Sequence, residues 1–234
     1  APLSTAVRSG LTAMTHTALI AGVTGLVGGE CLRRLLDAER YGEVIALTRR
    51  PLPIAHAKLR DDVVDFDRLA AVPKAEDVFC ALGTTRRQAG SEAAYRKVDF
   101  EFPKRVAELA LAAGAQRFVL VSSVGANAGS RNFYLRVKGE LEAAVAAMPY
   151  EAVHIFQPSF LVGARTERRP AEAAVVILAQ TLEFAMVGKL RRFRPIAAET
   201  LAAAMLASVR GDPGRHIYQY DEIKTLEREP GDTH

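Results

Sequence analysis

A three-glycine turn after a short apolar run constrains the fold of this chain more than any other stretch. Residues 18–21 form the unbroken run ALIA, which is typical of a strand buried on both faces. Gly22, Gly25 and Gly28 follow at once, and the pattern from Leu26 to Arg40 predicts a helix. Such a turn presents backbone N–H groups and the positive end of a helix dipole. It predicts a pyrophosphate site of a dinucleotide, although plain glycine turns also connect strands to helices.

Each glycine has its own predicted role in this turn. Gly22 permits the tight bend, Gly25 lets the backbone approach the phosphates, and Gly28 lets the helix pack close to the strand. The residues between them complete the predicted cofactor-binding turn: Thr24, Leu26 and Val27. Cys31 and Leu35 continue the face that begins at Val27, at the spacing of a buried helical side.

The composition is typical of one globular α/β domain. The chain has 234 residues, of which 49% are hydrophobic and 25% charged. Its net charge of +4 comes largely from arginine doublets, which suit solvated faces or an anionic ligand; no nucleic-acid motif accompanies them. Cys31 and Cys80 fall in apolar segments and are predicted core residues, in neither a disulfide nor a metal site. They favour a reducing compartment, and we predict a cytoplasmic location.

Neither a secretory signal nor a membrane span is predicted. The first sixteen residues contain no continuous apolar segment of the kind found in secretory signals. Met14 is a candidate natural start, so residues 1–14 are predicted to be an N-terminal extension. The longest apolar stretch, 171–187, contains Glu172 and Glu183 and is too short and polar for a membrane span.

Strand and helix patterns alternate along most of the chain. Further strands are predicted at 44–47, 61–65, 77–82, 118–123 and 153–156, and helices at 91–114, 132–148, 171–186 and 198–209. This alternation predicts a doubly wound parallel sheet, the α/β Rossmann fold, in a single domain covering 15–234. Ligands of such sheets lie beyond the carboxyl ends of the strands, so 157–210 is predicted to form a small substrate-side lobe. An edge strand is expected at 216–220, and the charged tail from Asp221 is expected to be frayed or solvent-exposed.

The end of the second predicted strand indicates which cofactor the chain binds. In folds that bind NAD, an acidic residue roughly twenty positions beyond the glycines binds the ribose hydroxyls. Thr48 stands at that distance from Gly28, and Arg49 and Arg50 follow it. A guanidinium matches a 2′-phosphate in charge and in donor geometry, so the sequence favours NADP(H) over NAD. A solvated strand end before Pro51 is the alternative interpretation.

Two further groups of residues are predicted near the cofactor. Leu82, Gly83 and Thr84 follow the fourth strand, where small residues let the backbone approach a ligand or simply form a turn. Tyr134 and Lys138 are one helical turn apart on one face, a spacing that also occurs by chance on solvated helices. An ammonium beside a phenol favours the phenolate, so the pair can relay a proton during hydride transfer.

The segments GVTGLVG, CALGTT, VLVSSVGA and YLRVKGELE, in this order and spacing, resemble the short-chain dehydrogenase/reductase superfamily. The resemblance is to its atypical branch, the Tat-interacting metastasis-suppressor (CC3-like) subfamily and its bacterial relatives, and it extends from Thr17 to about Val209. It implies an NADP(H)-binding Rossmann domain with Ser123, Tyr134 and Lys138 as a Ser-Tyr-Lys catalytic site for a small carbonyl or alcohol substrate. By the same resemblance, Lys138 binds the nicotinamide ribose.

The resemblance also implies cofactor contacts at Ser122 and at Pro158, which would border the nicotinamide. The sequence departs from the superfamily at one position. The asparagine that completes the superfamily's proton relay is not found, and Val98 and Asp99 stand in its neighbourhood. The branch includes regulators as well as enzymes, so an NADPH-binding sensor or protein-interaction regulator is the alternative. A homodimer and a regulatory protein partner are left open, and no specificity motif identifies the substrate.

Overall fold

The computed structural model describes residues 15–162 and 187–228. Its centre is a seven-stranded parallel sheet with the strand order β3-β2-β1-β4-β5-β6-β9, and a separate pair is formed by β7 and β8. The strands are β1 (His16–Ala21), β2 (Tyr41–Thr48), β3 (Leu59–Val63), β4 (Asp77–Cys80), β5 (Arg117–Val121), β6 (Ala152–Phe156), β7 (Leu161–Val162), β8 (Ile196–Ala197) and β9 (Gly214–Tyr218).

Helices cover both faces of this sheet, which confirms the predicted doubly wound α/β fold. They are α1 (Leu26–Asp37), α2 (Arg86–Ala89), α3 (Glu92–Arg96), α4 (Phe102–Ala112), α5 (Phe133–Ala146), α6 (Ala198–Ser208) and α7 (Tyr220–Glu227). A π-helical turn (Lys97–Glu101) joins α3 to α4, and a 3₁₀ helix covers Gly188–Phe193.

The side chains of β1 show why its apolar run is unbroken. Ala18 and Ile20 lie in the core layer that contains α1, α6 and α7. Leu19 and Ala21 lie in the opposite layer, which contains α4 and α5. Successive side chains of a strand point to opposite faces, so a strand covered on both sides has no polar position. The burial of all four residues is complete.

The strand order determines where on the sheet a ligand can bind. The order reverses at β1, with β2 on one side and β4 on the other. Loops that follow these strands leave the sheet in opposite directions, and the crevice between them is where open α/β sheets bind ligands. The glycine turn follows β1, and the turn containing Gly83 follows β4, so both lie at this crevice.

The helix predicted at 91–114 is interrupted. Ser91 caps α3 and accepts a hydrogen bond from the Ala94 N–H, and Gly114, with a φ of 96°, follows the end of α4 as expected. Between them, Lys97–Glu101 forms the π turn. Pro103 has no N–H to donate to the carbonyl four residues earlier, which favours a wider turn at that point.

The charged tail is helical rather than frayed as far as Glu227, and Asp221 and Glu222 at its start are solvent-exposed, which is the other half of the expectation. Residues from Tyr220 form α7, and Ile223 is fully buried in the layer that contains α1 and α6. Gln219 and Glu222 form a capping box that satisfies backbone N–H groups at the start of the helix. The charges occupy the exposed side of a short amphipathic helix.

Several predictions lie outside the described residues or are not tested by them. The N-terminal extension 1–14 and the helix at 171–186 are outside them. The helix α6 packs in the core layer beside α1, and the extent of the substrate-side lobe stays a prediction. Across 15–162 and 187–228, no helix combines the length and apolarity needed to cross a bilayer.

Both cysteines are buried free thiols, as predicted. Burial raises the pKa of Cys31 to about 12 and that of Cys80 to about 11. A thiol that stays protonated is a poor nucleophile and metal ligand, so both act as small core side chains. In the part of the chain that the structure describes, no group of three or more His, Cys, Asp or Glu residues could hold a metal ion.

His154 of β6 is a fully buried histidine in the strand next to β9, the last strand of the sheet. Its ring stacks on His216 of β9 with centroids 5.2 Å apart, and its Nδ1 lies 3.0 Å from the Tyr218 hydroxyl. The Nε2 atom has no hydrogen-bond partner among the described residues. Burial, His216 and the Arg117 charge lower the pKa of His154 to about 4, so the folded state keeps the ring neutral.

This buried ring predicts a loss of stability in mild acid. Below its ordinary pKa of 6.5, the unfolded chain binds a proton at His154 that the folded chain does not bind until about pH 4. We expect the free energy of unfolding to fall by up to roughly 3 kcal/mol across this window, at about 1.4 kcal/mol per pKa unit. Urea unfolding of wild type and His154→Phe at several pH values measures the effect. The same pH slope in both proteins would contradict it.

Candidate cofactor and catalytic site

The glycine turn after β1 is packed too tightly for other residues at two of its positions. Gly22 has a φ of 96°, and a Cβ there would lie 2.5 Å from the Ala81 carbonyl carbon. A Cβ at Gly28 would lie 2.1 Å from the Gly22 oxygen. The Gly25 N–H donates to that same oxygen at 3.0 Å and closes the turn. The fold itself therefore requires glycine at positions 22 and 28.

Gly25 differs, because the protein around it leaves space. A Cβ there would meet only the Gly22 oxygen, at 3.2 Å, and its φ of −83° suits any residue. Gly25 precedes α1, whose N-terminus has neither a side-chain cap nor an acidic residue in its first turn. The first N–H groups of a helix lack intrahelical partners and attract anions. The turn thus has the shape and polarity of a phosphate cradle.

The other predicted residues of the turn differ in how far their side chains are exposed. Thr24 is exposed and Leu26 is half-buried, whereas the Val27 side chain is buried in the core beside β1. Only the main chain of Val27 can therefore face a ligand.

The turn after β4 connects the glycine turn to α5. Gly22 approaches Ala81 and Leu82 so closely that a Cβ would lie 2.7 Å from the Leu82 nitrogen. On its other side, a Cβ at Gly83 would lie 3.4 Å from Asp99 Oδ1 and 3.9 Å from Lys138 Nζ. The Thr84 N–H donates to Asp99 Oδ2 at 2.8 Å. Residues 82–84 therefore lie between the glycine turn and Lys138.

Tyr134 and Lys138 both lie on α5, which begins after the N-cap residue Asn132. Lys138 is buried, and its Nζ lies 2.8 Å from Asp99 Oδ1. Tyr134 is half-buried, and its ring centroid lies 6.0 Å from that of Tyr95. Residues four apart on a helix share a face, so the phenol and the ammonium are directed to the same side.

The loop that carries Ser123 is held directly against α5. Ser123 is buried after the end of β5, and the Asn127 N–H donates to the Leu135 carbonyl at 3.0 Å. A Cβ at Gly139 would lie 2.3 Å from the Ala128 nitrogen, so the loop touches the helix backbone. This contact places Ser123 and the first turns of α5 at the same edge of the sheet.

Ser122 and Pro158 lie in a buried polar network behind this edge. The Ser122 hydroxyl donates to the Glu142 carboxylate, which also accepts two hydrogen bonds from Gln157 Nε2, both at 3.0 Å. The Val124 N–H donates to the Pro158 carbonyl at 2.9 Å. Burial raises the pKa of the Glu142 carboxyl. The network fixes the loops that follow β5 and β6.

Sequence reasoning missed two buried carboxylates of the site, Asp99 and Glu142. Glu142 was detectable, because Tyr134, Lys138 and Glu142 recur every four residues on one helical face. Asp99 was noted only as standing where an asparagine was expected. Its contacts depend on the π turn, which the helical periodicity of residues 91–114 did not predict.

Arg49 and Arg50 are both exposed at the carboxyl end of β2, and neither forms an ion pair with a described residue. The turn that carries them is held by Asp61 of β3. Thr48 donates its hydroxyl to one Asp61 oxygen at 2.6 Å, and the Leu52 N–H donates to the other at 2.6 Å. Both oxygens of this carboxylate are thus engaged by the protein.

Two surface cavities lie outside the crevice. One of about 390 Å³ lies between the segment after β3 and α4, and none of its lining residues belongs to the predicted site. The other, of about 230 Å³, is lined in part by Arg191, Arg192 and Gln219. The Gln219 amide donates to Gln157 Oε1 at 2.9 Å, so the smaller cavity adjoins the buried network.

Residues 22–161 match the model of a family described as NAD(P)H-binding. The chain belongs to this NAD(P)H-binding family. It is 38% identical to protein HTATIP2 of Rattus norvegicus over 160 residues, covering 65% of this chain and 66% of that protein. It is also 38% identical to protein fmp52, mitochondrial, of Aspergillus clavatus over 176 residues, covering 71% of this chain and 75% of that protein. The family predicted from the four motifs is therefore confirmed.

Solved structures agree on the fold of this NAD(P)H-binding protein. The human epimerase family protein SDR39U1, solved with NADPH, aligns with a TM-score of 0.60 at 16% identity and covers 86% of this chain and 72% of its own. At such identity the likeness shows the fold alone. Structures of the same fold hold NAD as well as NADPH, so membership of the family does not choose between the two cofactors.

The prediction of a cytoplasmic location is contradicted by these relatives. The fungal fmp52 proteins of Aspergillus clavatus, Scheffersomyces stipitis and Saccharomyces cerevisiae are all named mitochondrial. The prediction rested on two unpaired cysteines, which indicate a reducing compartment and carry no information about which one.

The open space at Gly25 predicts a variant that folds but does not bind. In Gly25→Val the side chain enters the space in front of the α1 N-terminus, where a pyrophosphate would lie. We expect NADPH binding to be lost in fluorescence titration while the protein stays folded, with a smaller drop in melting temperature than in Gly28→Ala, because a Cβ at Gly25 has only the 3.2 Å contact with the Gly22 oxygen. Gly28→Ala is the matched control, because its Cβ collides with the Gly22 oxygen and should lower the melting temperature. Normal NADPH affinity in a folded Gly25→Val protein would remove the turn from the site.

Proposed function

We propose that the protein is an NADP(H)-dependent oxidoreductase that interconverts a small carbonyl and alcohol by hydride transfer. The observation that carries the proposal is the buried Lys138, one helical turn from Tyr134 and beside the turn after β4. The open N-terminus of α1 adds an anion site at the same edge of the sheet. Together these features supply the two requirements of the reaction, a cofactor cradle and a proton-transferring group.

The residues present fit a dinucleotide. The cradle at Gly25 would hold its pyrophosphate through backbone N–H groups, since a Cβ there would fill the space. The backbone of Leu82, Gly83 and Thr84 would border the ribose and nicotinamide, with Ser122 and Pro158 beyond them. Lys138 would donate to the ribose hydroxyls with the N–H groups that Asp99 leaves free. NADPH, when bound, supplies the hydride.

The chain itself supplies the proton. The Tyr134 hydroxyl would donate a proton to the substrate oxygen in reduction and accept it in oxidation. The Ser123 hydroxyl would donate a hydrogen bond to the same oxygen, and the contact of its loop with α5 holds it near that face. Lys138, fixed by Asp99, would keep a positive charge beside the phenol.

A cofactor-binding regulator is the second candidate. The observation in its favour is the Asp99 carboxylate, which offsets the Lys138 charge that a catalytic phenol would use. In that case the crevice would bind NADPH, and the affinity for a protein partner would depend on the bound cofactor.

The exposed arginines predict the choice of cofactor. If Arg49 and Arg50 hold a 2′-phosphate, changing both to glutamine should weaken NADPH binding by roughly 2 to 4 kcal/mol and change NADH binding little. Titration with both cofactors measures the difference. Arg33→Gln is the control, because Arg33 is an exposed arginine of α1 paired with Glu30. Equal losses for NADPH and NADH would overturn the assignment.

The catalytic residues are tested by removing one functional group at a time. Tyr134→Phe keeps the ring and removes the transferable proton, so turnover should fall by at least about a hundred-fold with NADPH affinity unchanged. Lys138→Met should lower both turnover and affinity. Tyr150→Phe is the control, since that hydroxyl donates to the Ala107 carbonyl inside the core.

A screen of small carbonyl compounds for NADPH oxidation provides the assay. Unchanged turnover of a good substrate in Tyr134→Phe would defeat the oxidoreductase proposal. The regulator predicts a different result, in which Tyr134→Phe is silent and only Lys138→Met matters, through binding.

A further inference from the structure

Asp99 is a buried carboxylate at which three segments of the site meet. It is 1% exposed and lies in the π turn between α3 and α4. Its Oδ1 lies 2.8 Å from Lys138 Nζ and accepts a hydrogen bond from the Tyr95 hydroxyl at 3.0 Å. Its Oδ2 accepts the Thr84 N–H at 2.8 Å. One side chain therefore holds α5, α3 and the turn after β4.

Stability does not by itself explain this arrangement. Removing two charges from water is costly, and apolar side chains of similar volume often stabilise a core as well as a buried ion pair does. The pair of Asp99 and Lys138 is buried on both sides, at 2% and 7% side-chain exposure. An apolar side chain in place of Asp99 could not orient the Lys138 ammonium, because orienting a charged donor requires a charged acceptor with fixed geometry.

Asp99 is itself held in one orientation. Burial and the Asp99 charge raise the pKa of Tyr95, so its hydroxyl stays protonated and acts as a donor. Thr84 donates from the backbone, whose position is set by β4. The carboxylate is thus fixed from two sides before it contacts Lys138, and Gly83 leaves the space in front of both groups free of a side chain.

We propose that Asp99 is a positioning residue that aims the Lys138 ammonium at the cofactor and couples it to the turn after β4. The proposal rests on the proposed function, in which Lys138 binds the nicotinamide ribose. Asp99 occupies one N–H of the ammonium and leaves the other two directed along its remaining tetrahedral positions. The same carboxylate fixes Thr84. The turn after β4 and α5, which would both border the cofactor, are therefore held in a fixed relative position.

A double-mutant cycle separates positioning from packing. NADPH affinity is measured by fluorescence titration for wild type, Asp99→Asn, Lys138→Met and the double variant. If Asp99 acts through Lys138, Asp99→Asn should weaken NADPH binding at least tenfold, and the double variant should bind no more weakly than Lys138→Met alone. Wild-type affinity in Asp99→Asn, or losses that multiply in the double variant, would overturn the proposal.

Asp77→Asn is the matched control for loss of a buried carboxylate. Asp77 is fully buried at the start of β4, at the opposite edge of the sheet, where it pairs with Arg40 at 3.1 Å and Arg117 at 3.2 Å. We expect Asp77→Asn to lower the melting temperature and leave NADPH affinity within about threefold of wild type, since those ion pairs lie away from the crevice. An equal loss of affinity in Asp77→Asn and Asp99→Asn would refute a specific role for Asp99.

Asp99→Glu covers the case in which Asp99→Asn does not fold. The longer side chain keeps the ion pair but displaces the ammonium, so it should leave the protein folded and still weaken NADPH binding severalfold. Unchanged affinity in folded Asp99→Glu would count against positioning. These measurements use NADPH alone, so a silent Tyr134→Phe variant would remove the oxidoreductase proposal without affecting the outcome of the cycle.

Discussion

The close approach of the Gly22 backbone to the exit of β4 is the constraint on which the rest of the site depends. No side chain fits between Gly22 and Ala81, so the turns after β1 and β4 touch where the strand order reverses. This contact sets the start of α1 on one side of the crevice and the position of Gly83 on the other. Because Gly28 packs on Gly22 as tightly, the open N-terminus of α1 is held at a fixed distance from the sheet.

Buried carboxylates have two different roles in this fold. Asp77 pairs at the amino-terminal edge of the sheet with Arg40, which precedes β2, and with Arg117, the first residue of the neighbouring β5. Asp99 and Glu142 lie at the carboxyl edge instead, where Asp99 pairs with Lys138 and Glu142 lies one helical turn after Lys138 on α5. Glu142 holds the loops after β5 and β6 through Ser122 and Gln157. The loops at this edge are held in place, as the proposed function would require of a tyrosine that transfers a proton in one orientation.

The candidate site was predictable in part, and the reason lies in how far apart its contacts are along the chain. The glycine turn and the tyrosine–lysine spacing are local patterns, so the sequence located Gly25, Tyr134 and Lys138. The partners of Lys138 and Glu142 come from distant segments, and no local pattern contains them. The Asp61 carboxylate that holds the turn carrying Arg49 and Arg50 was missed for the same reason, because it lies on the neighbouring strand.

The amino-acid sequence by itself determined the family and the doubly wound sheet, because buried parallel strands need unbroken apolar runs and the tightly packed turn after β1 needs glycine. Tertiary structure alone decided three other features. The π turn that presents Asp99 interrupts an otherwise helical pattern from Ser91 to Gly114. The helix from Tyr220 exists because Ile223 finds a buried place in the core layer of α1 and α6. The pairing of Asp99 with Lys138 arises only when the sheet brings the π turn and α5 together, since a buried charge keeps its position only where the fold supplies its partner.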